Sequence, residues 1–501
     1  MVKCLLIIPL IVGPLLTTFI LSSLFLPDLP VDVVNSIGRP FQWAHQQAAS
    51  VARNSLHREG LASGLAGLVH EELQSWRFRA LIAPVAGLVE TCCCEVELVE
   101  QVQPSFHSLL ESLVSHSFFK YFLVNYQQVC PFWVEEHLCS AADASEESPC
   151  GICECPLEEV PALIKSKDDA HAVNRTLGAG FERFSDRAAA QWIEWDQTDQ
   201  LAYVNLEFNP ERYTGYKGNA AREIWKIIYE ENCFVRPSDD NQCVEERVFY
   251  RIISGLHAST TIHFTAQHQR TGEGWLPNLD MFIWRLGLFP DRMKNVYFNY
   301  IFLLRAIGFL KPLVHDFSDP VVLPVFATGL ESEDLATSSL LQQFFRHPIF
   351  DMGSCVTPLF DETTMFQSPD SQLIRDEFRT KFRNISRIMD CVACESCKLH
   401  AKLQVLGLGT ALKILFQQAP TGDSSSLLSS LQRNEVMALF QTLFKFSESI
   451  HLFHQMQALE KSQLYFSLSV ALSLSVAILV AFMLLLVRLF SPGKQPKLKN
   501  H

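Results

Sequence analysis

The sequence has no surplus of positive charge: 41 lysines and arginines face 54 aspartates and glutamates, a net charge of −13. With no basic field, nucleic-acid binding is excluded as a main activity. Period-two alternation of apolar and polar residues is also scarce. Apolar residues recur instead at spacings of three and four, which predicts an all-α fold. No internal repeat divides the chain. Cysteine is neither rare nor abundant: fifteen in 501 residues are too few for a disulfide miniprotein and many for a cytosolic enzyme. Nine of them fall in three clusters, at 92–94, 150–155 and 391–397. Such tight spacing points to thiol chemistry or metal binding.

Two long apolar runs are present. Residues 4–26, "CLLIIPLIVGPLLTTFILSSLFL", read as a signal sequence or an uncleaved signal anchor. Residues 464–487 form an uncharged run that, at about 1.5 Å per residue, is long enough for a transmembrane helix across about 30 Å of hydrocarbon. Arg488, Lys494, Lys497 and Lys499 follow it, so the tail 488–501 is expected in the cytosol and the bulk of the chain on the lumenal side. The final "KLKNH" resembles a dilysine retrieval signal, which gives an endoplasmic reticulum membrane address and an oxidising lumen.

Between the runs, residues 27–90 read as an irregular lumenal stem. A cysteine-dense stretch follows, with the loop-like acidic insert "SAADASEESP" at 140–149. Helical patterning dominates from Gln200 to Val314, loosens over 315–370, and resumes on either side of a linker at 419–430. Asn174 and Asn384 head glycosylation sequons.

The stretch with most chemistry is "CVACESCKLHAKLQVLGLGTALKILF", residues 391–416. A ferredoxin cluster needs a further cysteine at a position that Ala401 occupies. A zinc site could recruit His400 or a distant cysteine, so a lumenal metal-binding (zinc or iron–sulfur) type I membrane protein without oxidase activity is the alternative function. In an oxidising lumen, C-x-x-C at a helix start suits a redox pair, because the helix N-terminus favours a thiolate. Gly407 and Gly409 interrupt the apolar stripe of Leu399, Leu403 and Leu406. That points to close approach by a flat ligand or by another helix.

Four motifs in order, "NPERYTGYKG", "IWKIIYEENCF", "FYRIISGLHAS" and "KFRNISRIMDCVACESCKLHAKLQVLGLGTALKILF", resemble the endoplasmic reticulum oxidoreductins. The resemblance covers about residues 91–458 and implies a single helical flavin-binding catalytic domain, placed at 91–460, with cysteine-rich loops. It implies a flavoprotein thiol oxidase that reoxidises protein disulfide isomerase and passes electrons to FAD and molecular oxygen, releasing hydrogen peroxide. Cys394 and Cys397 would be the inner active-site pair. Cys130 and Cys391 would form a structural disulfide, and Cys233 and Cys243 a local bridge. Arg212, Thr214, Trp225, Ser254, His257, Arg292 and Arg305 would bind FAD. On one helix the two arginines would lie about 20 Å apart and serve different parts of the dinucleotide; otherwise Arg292 belongs to the preceding loop.

The shuttle pair departs from the family pattern. Cys139 matches its first cysteine, and Cys150, displaced by the insert, is the preferred partner; Cys150 with Cys155 or Cys153 is the second choice. Animal relatives have two upstream cysteines to pair with the equivalents of Cys92 and Cys94. Here none occurs between Cys4 and Cys92. Cys93, Cys153 and Cys355 receive no role.

Overall fold

The computed structural model describes residues 94–132, 192–193, 201–209, 218–234, 243–264, 266–268, 275–277, 279–283, 286, 289–311, 330–350, 359–367, 369–392, 395–416 and 431–490. Residues 4–26 and 27–90, the linker 419–430 and the tail beyond 490 lie outside them. The chain divides into two compact units, Leu88–Gln455 and Met1–Gly87 with Met456–His501.

The larger unit is mostly helical. In chain order its helices are α1 Cys94–Val114, the short α2 Ser117–Lys120, α3 Gly218–Glu231, α4 Val244–Phe264, the short α5 Leu279–Phe282, α6 Pro290–Gly308, α7 Glu331–Phe345, α8 Pro369–Ile388, α9 Glu395–Phe416 and α10, which begins at Arg433 and runs to Phe490. Two small antiparallel ladders qualify the all-α expectation. Strand β1 Tyr121–Val124 pairs with β2 Ala202–Asn205, and β3 Ala266–His268 with β4 Trp275–Pro277. Strands of three or four residues are too short for alternation to show in the sequence.

Helices α6 and α9 are central because apolar residues cover them nearly all round. From Asn295 to Leu304 every residue of α6 is buried. On α9, Leu399, Leu403 and Leu412 are fully covered. Helix α8 is one-sided: Phe378, Phe382, Ile385 and Ile388 are buried at spacings of four and three.

Helix α10 closes this core through polar ties. Asn434 bridges both backbone groups of Leu123, donating at 2.9 Å and accepting at 3.0 Å. Lys413 and Glu435 form a buried ion pair at 2.9 Å, and Glu435 also accepts the Gln432 N–H at 2.8 Å. Gln103 links three helices, accepting from the Tyr300 hydroxyl at 2.8 Å and donating to Ser447 Oγ at 2.8 Å. The interrupted stripe on α9 belongs to the same packing. A Cβ at Gly407 would stand 2.6 Å from the Ala438 carbonyl and 2.1 Å from Thr442 Oγ1; one at Gly409 would meet Ile193 Cγ2 at 2.4 Å. Close protein packing, not a flat ligand, accounts for both glycines.

The described part of the smaller unit is the rest of α10. Its apolar stretch is Leu472–Val487, shorter than the expected 464–487, with exposed side chains such as Ile478 at 65% and Val487 at 64%. The described helix with the length and composition to cross a membrane is Cys397–Phe416, and it is a buried core helix.

Candidate functional site

The start of α9 is held from several sides. Cys130, after β1, forms a disulfide with Cys391, with Cα atoms 4.4 Å apart and a sequence separation of 261. Closing so long a loop restrains the unfolded chain by on the order of 5 kcal/mol in the chain-entropy treatment. Both sulfurs are buried. Lys398 donates to the Gln128 carbonyl at 3.0 Å, His400 Nε2 to the Asn209 carbonyl at 2.9 Å, and Lys402 pairs with Asp390 beside the bridge. Cys397 sits in the first turn of α9 with no exposed surface. Cys394 immediately precedes the helix and lies outside the described residues.

A second cluster forms where α3, α4 and α6 meet. Trp225 and His257 are stacked with ring centroids 4.0 Å apart and planes at 14°. Tyr229, one turn after Trp225, shares a hydrogen bond of 3.2 Å with His257 Nδ1. Burial holds the Tyr229 phenol well above its ordinary value, while Arg292 and a bond to Ser254 pull the other way. Ser254 accepts from Asn295 Nδ2 at 3.0 Å. Arg292 lies in the first turn of α6, not in a preceding loop, and its guanidinium sits 4.0 Å over the Phe289 ring.

Four of the expected cofactor residues, Trp225, Ser254, His257 and Arg292, are thus brought together. Tyr229 joins them; its place four residues after Trp225 was the available signal. Arg305 is not part of this group. It lies at the other end of α6, with its guanidinium on Glu362 at 2.5 Å and on Glu95 at 2.6 Å. Arg212 and Thr214 lie outside the described residues, as do the shuttle cysteines Cys139 and Cys150, together with Cys153, Cys155, Cys355, Cys92 and Cys93.

The expected Cys233–Cys243 bridge requires correction: both are free thiols in this structure. Cys233 follows α3 and is buried, which pushes its thiol up to about 12 despite Lys381 nearby. Cys243 precedes α4, where burial and the Glu245 and Glu246 carboxylates raise its thiol. Each sulfur is stabilised as a neutral thiol in its own surroundings. Asn384 is half-buried within α8 rather than on a loop, and Asn174 lies outside the described residues. His400, the possible zinc ligand, bonds a backbone carbonyl, and among the described residues no three His, Cys, Asp or Glu side chains converge as a metal site.

Known proteins decide the lineage. The Endoplasmic Reticulum Oxidoreductin 1 (ERO1) family model matches residues 105–453. The chain belongs to this family. It is 38% identical to Endoplasmic reticulum oxidoreductin-1 of Arabidopsis thaliana over 394 residues, covering 74% of this chain and 80% of the relative. It is 35% identical to ERO1-like protein alpha of Bos taurus over 463 residues, covering 78% and 94%. Among solved structures, Ero1p, described as a source of disulfide bonds for oxidative protein folding in the cell, matches with a TM-score of 0.54 and 26% identity. That match covers 74% of this chain and 99% of the other.

Proposed function

We propose that the chain is a flavin-dependent thiol oxidase that reoxidises protein disulfide isomerase in the endoplasmic reticulum lumen. The observation that carries this reading is Cys397, buried in the first turn of a helix whose start is clamped by the Cys130–Cys391 bridge. The helix N-terminus favours a thiolate there, and the bridge and the Lys398, His400 and Lys402 contacts hold the turn that presents it. Cys394 is the exchanging partner, with Cys139 and Cys150 as the shuttle that an isomerase attacks. Such exchange depends on thiolate fraction and on the leaving thiol.

The ring cluster fits a flavin dinucleotide. Trp225 and His257 offer flat faces for stacking, Tyr229 and Ser254 supply hydroxyls, and Arg292 adds its charge to a helix N-terminus that attracts anions. Arg212 and Thr214 complete the proposed set. When bound, FAD supplies two-electron chemistry between a dithiol and oxygen, with hydrogen peroxide as product. Burial around Cys397 keeps water from the reacting sulfur. We place residues 464–487 in the membrane, with the catalytic part lumenal and the C-terminus cytosolic. The names of the relatives support the endoplasmic reticulum, and the exposed apolar stretch Leu472–Val487 supports the span.

The purified chain is expected to be yellow and to release FAD on denaturation. Cys397→Ala should keep the flavin and lose dithiothreitol-driven oxygen uptake. A folded, colourless protein that FAD cannot reconstitute would overturn the reading.

A further inference from the structure

Phe289 immediately precedes α6 and is 45% exposed, a large apolar side chain left partly in water. The turn that carries it is fixed from within. Leu286 is fully buried, its carbonyl accepts the Phe289 N–H at 2.8 Å, and the Phe289 carbonyl accepts the Arg292 N–H at 2.9 Å. Pro290 opens the helix with a φ already suited to it. Phe289 and Arg292 are three positions apart, and helical side chains lean toward the N-terminus. The Arg292 guanidinium thus comes back over the Phe289 ring, 4.0 Å from its centroid. Of the other charged groups in this turn, the Asp291 side chain is 83% exposed and meets Lys294 at 3.4 Å.

Helix α6 therefore holds its two arginines by different means. Arg305 is fixed by N–H groups spent on Glu95 and Glu362. A ring face takes no ordinary hydrogen bond, so Phe289 acts on Arg292 through the flat side of the cation. A guanidinium held in this way need not spend its donors on the group that holds it. Two of its N–H groups can then meet two oxygens of a phosphate. The Arg292 charge also reaches Tyr229, which is bonded to His257 in the ring cluster.

We infer that Phe289 is a positioning residue of the flavin site, its ring holding the Arg292 guanidinium ready for the pyrophosphate of the dinucleotide. This rests on the proposed function and adds to it a residue that acts only through another. Without the ring, the long Arg292 side chain regains its rotamers and must be ordered again when the anion binds. Affinity then falls through Arg292, not through any contact that Phe289 makes itself.

The test is a titration of the full chain, stripped of flavin, with FAD, followed by flavin fluorescence. Phe289→Leu keeps the apolar bulk and removes the aromatic face. It should raise the FAD dissociation constant about fivefold. Phe289→Tyr keeps the face and should bind as the parent does. Phe289→Met replaces the leucine variant if that one does not fold. In an Arg292→Ala background, Phe289→Leu should change the affinity no further. Equal affinity of the parent and Phe289→Leu overturns the inference and leaves the flavin reading standing. A loss that persists in the Arg292→Ala background also overturns it, because Phe289 would then touch the flavin directly. So does a tyrosine variant as weak as the leucine one. A parent that takes up no FAD at all overturns the proposed function, and this inference with it.

Discussion

The two ends of α6 carry the same side chain into opposite surroundings. Arg292, in the first turn, lies over Phe289 and acts electrostatically on Tyr229 at the ring cluster. Arg305, about 20 Å further along by helical rise, is held by Glu95 and Glu362. Burial alone would lower the Arg305 pKa; the two carboxylates outweigh it and raise it. Glu95 has no exposed surface, and its other oxygen accepts the Leu359 N–H at 2.5 Å. An arginine already neutralised by two carboxylates has little charge left for a phosphate. A cation at a helix N-terminus opposes the helix dipole, and a bound anion would relieve that. Residue type does not separate the two roles; the partners do.

The largest effect should come from the closed end. Arg305→Leu leaves the Glu95 carboxylate buried without its cation, a loss of about 3–5 kcal/mol. Urea midpoints would show it, while flavin per folded molecule stays near the parent's. Loss of flavin without loss of stability would reverse the roles of the two ends.

Helix α4 repeats the contrast with histidines. His257 is half-buried against Trp225, while His263 is enclosed, and burial first of all lowers its pKa to about 4. His400 on α9 is similarly lowered to about 3. Both folded values lie below the unfolded value of about 6.5, so the unfolded chain binds protons first as the pH falls. Stability is therefore full above about pH 6.5 and declines toward pH 4, by on the order of 3 kcal/mol for His263 alone. Urea midpoints measured at neutral and mildly acid pH test this. A flat profile would show that these interiors are open to water.

Much of this was legible in the sequence, but unevenly. The spacings of Phe378, Phe382 and Ile385, and of Leu399 and Leu403, announce helices, because burial of one face imposes a local period. The gathering of Trp225, Ser254, His257 and Arg292 was legible only through motif likeness. Arg305 came with the same likeness, yet its partners stand 57 and 210 residues away, where no local pattern records them. Gly407 left two explanations open until Ala438 and Thr442 of α10 were seen against it.

The open end of α6 should give a binding effect of moderate size. Arg292→Ala is expected to change the urea midpoint little, since its side chain is only half-buried at the ring cluster. It removes a charged hydrogen-bonding group of the kind worth about 1.5–3 kcal/mol, so the FAD dissociation constant should rise about tenfold or more. Titration of the apoprotein by flavin fluorescence measures it. Unchanged affinity would place the phosphates elsewhere.

The smallest effect should fall on the unbridged thiols. Cys233 and Cys243 are ten positions apart, and a disulfide closing so short a loop adds less restraint than the long Cys130–Cys391 loop. Both thiols are held neutral in this structure, Cys233 by burial above all. Cys243→Ala, at a half-exposed position, should change stability by no more than about 0.5 kcal/mol. Cys233→Ala should cost about 1 kcal/mol through lost packing. Alkylation of the native, unreduced protein should label Cys243 well before Cys233. Mass spectrometry that instead found the two joined would restore the bridge, and Cys243→Ala would then cost a few kcal/mol.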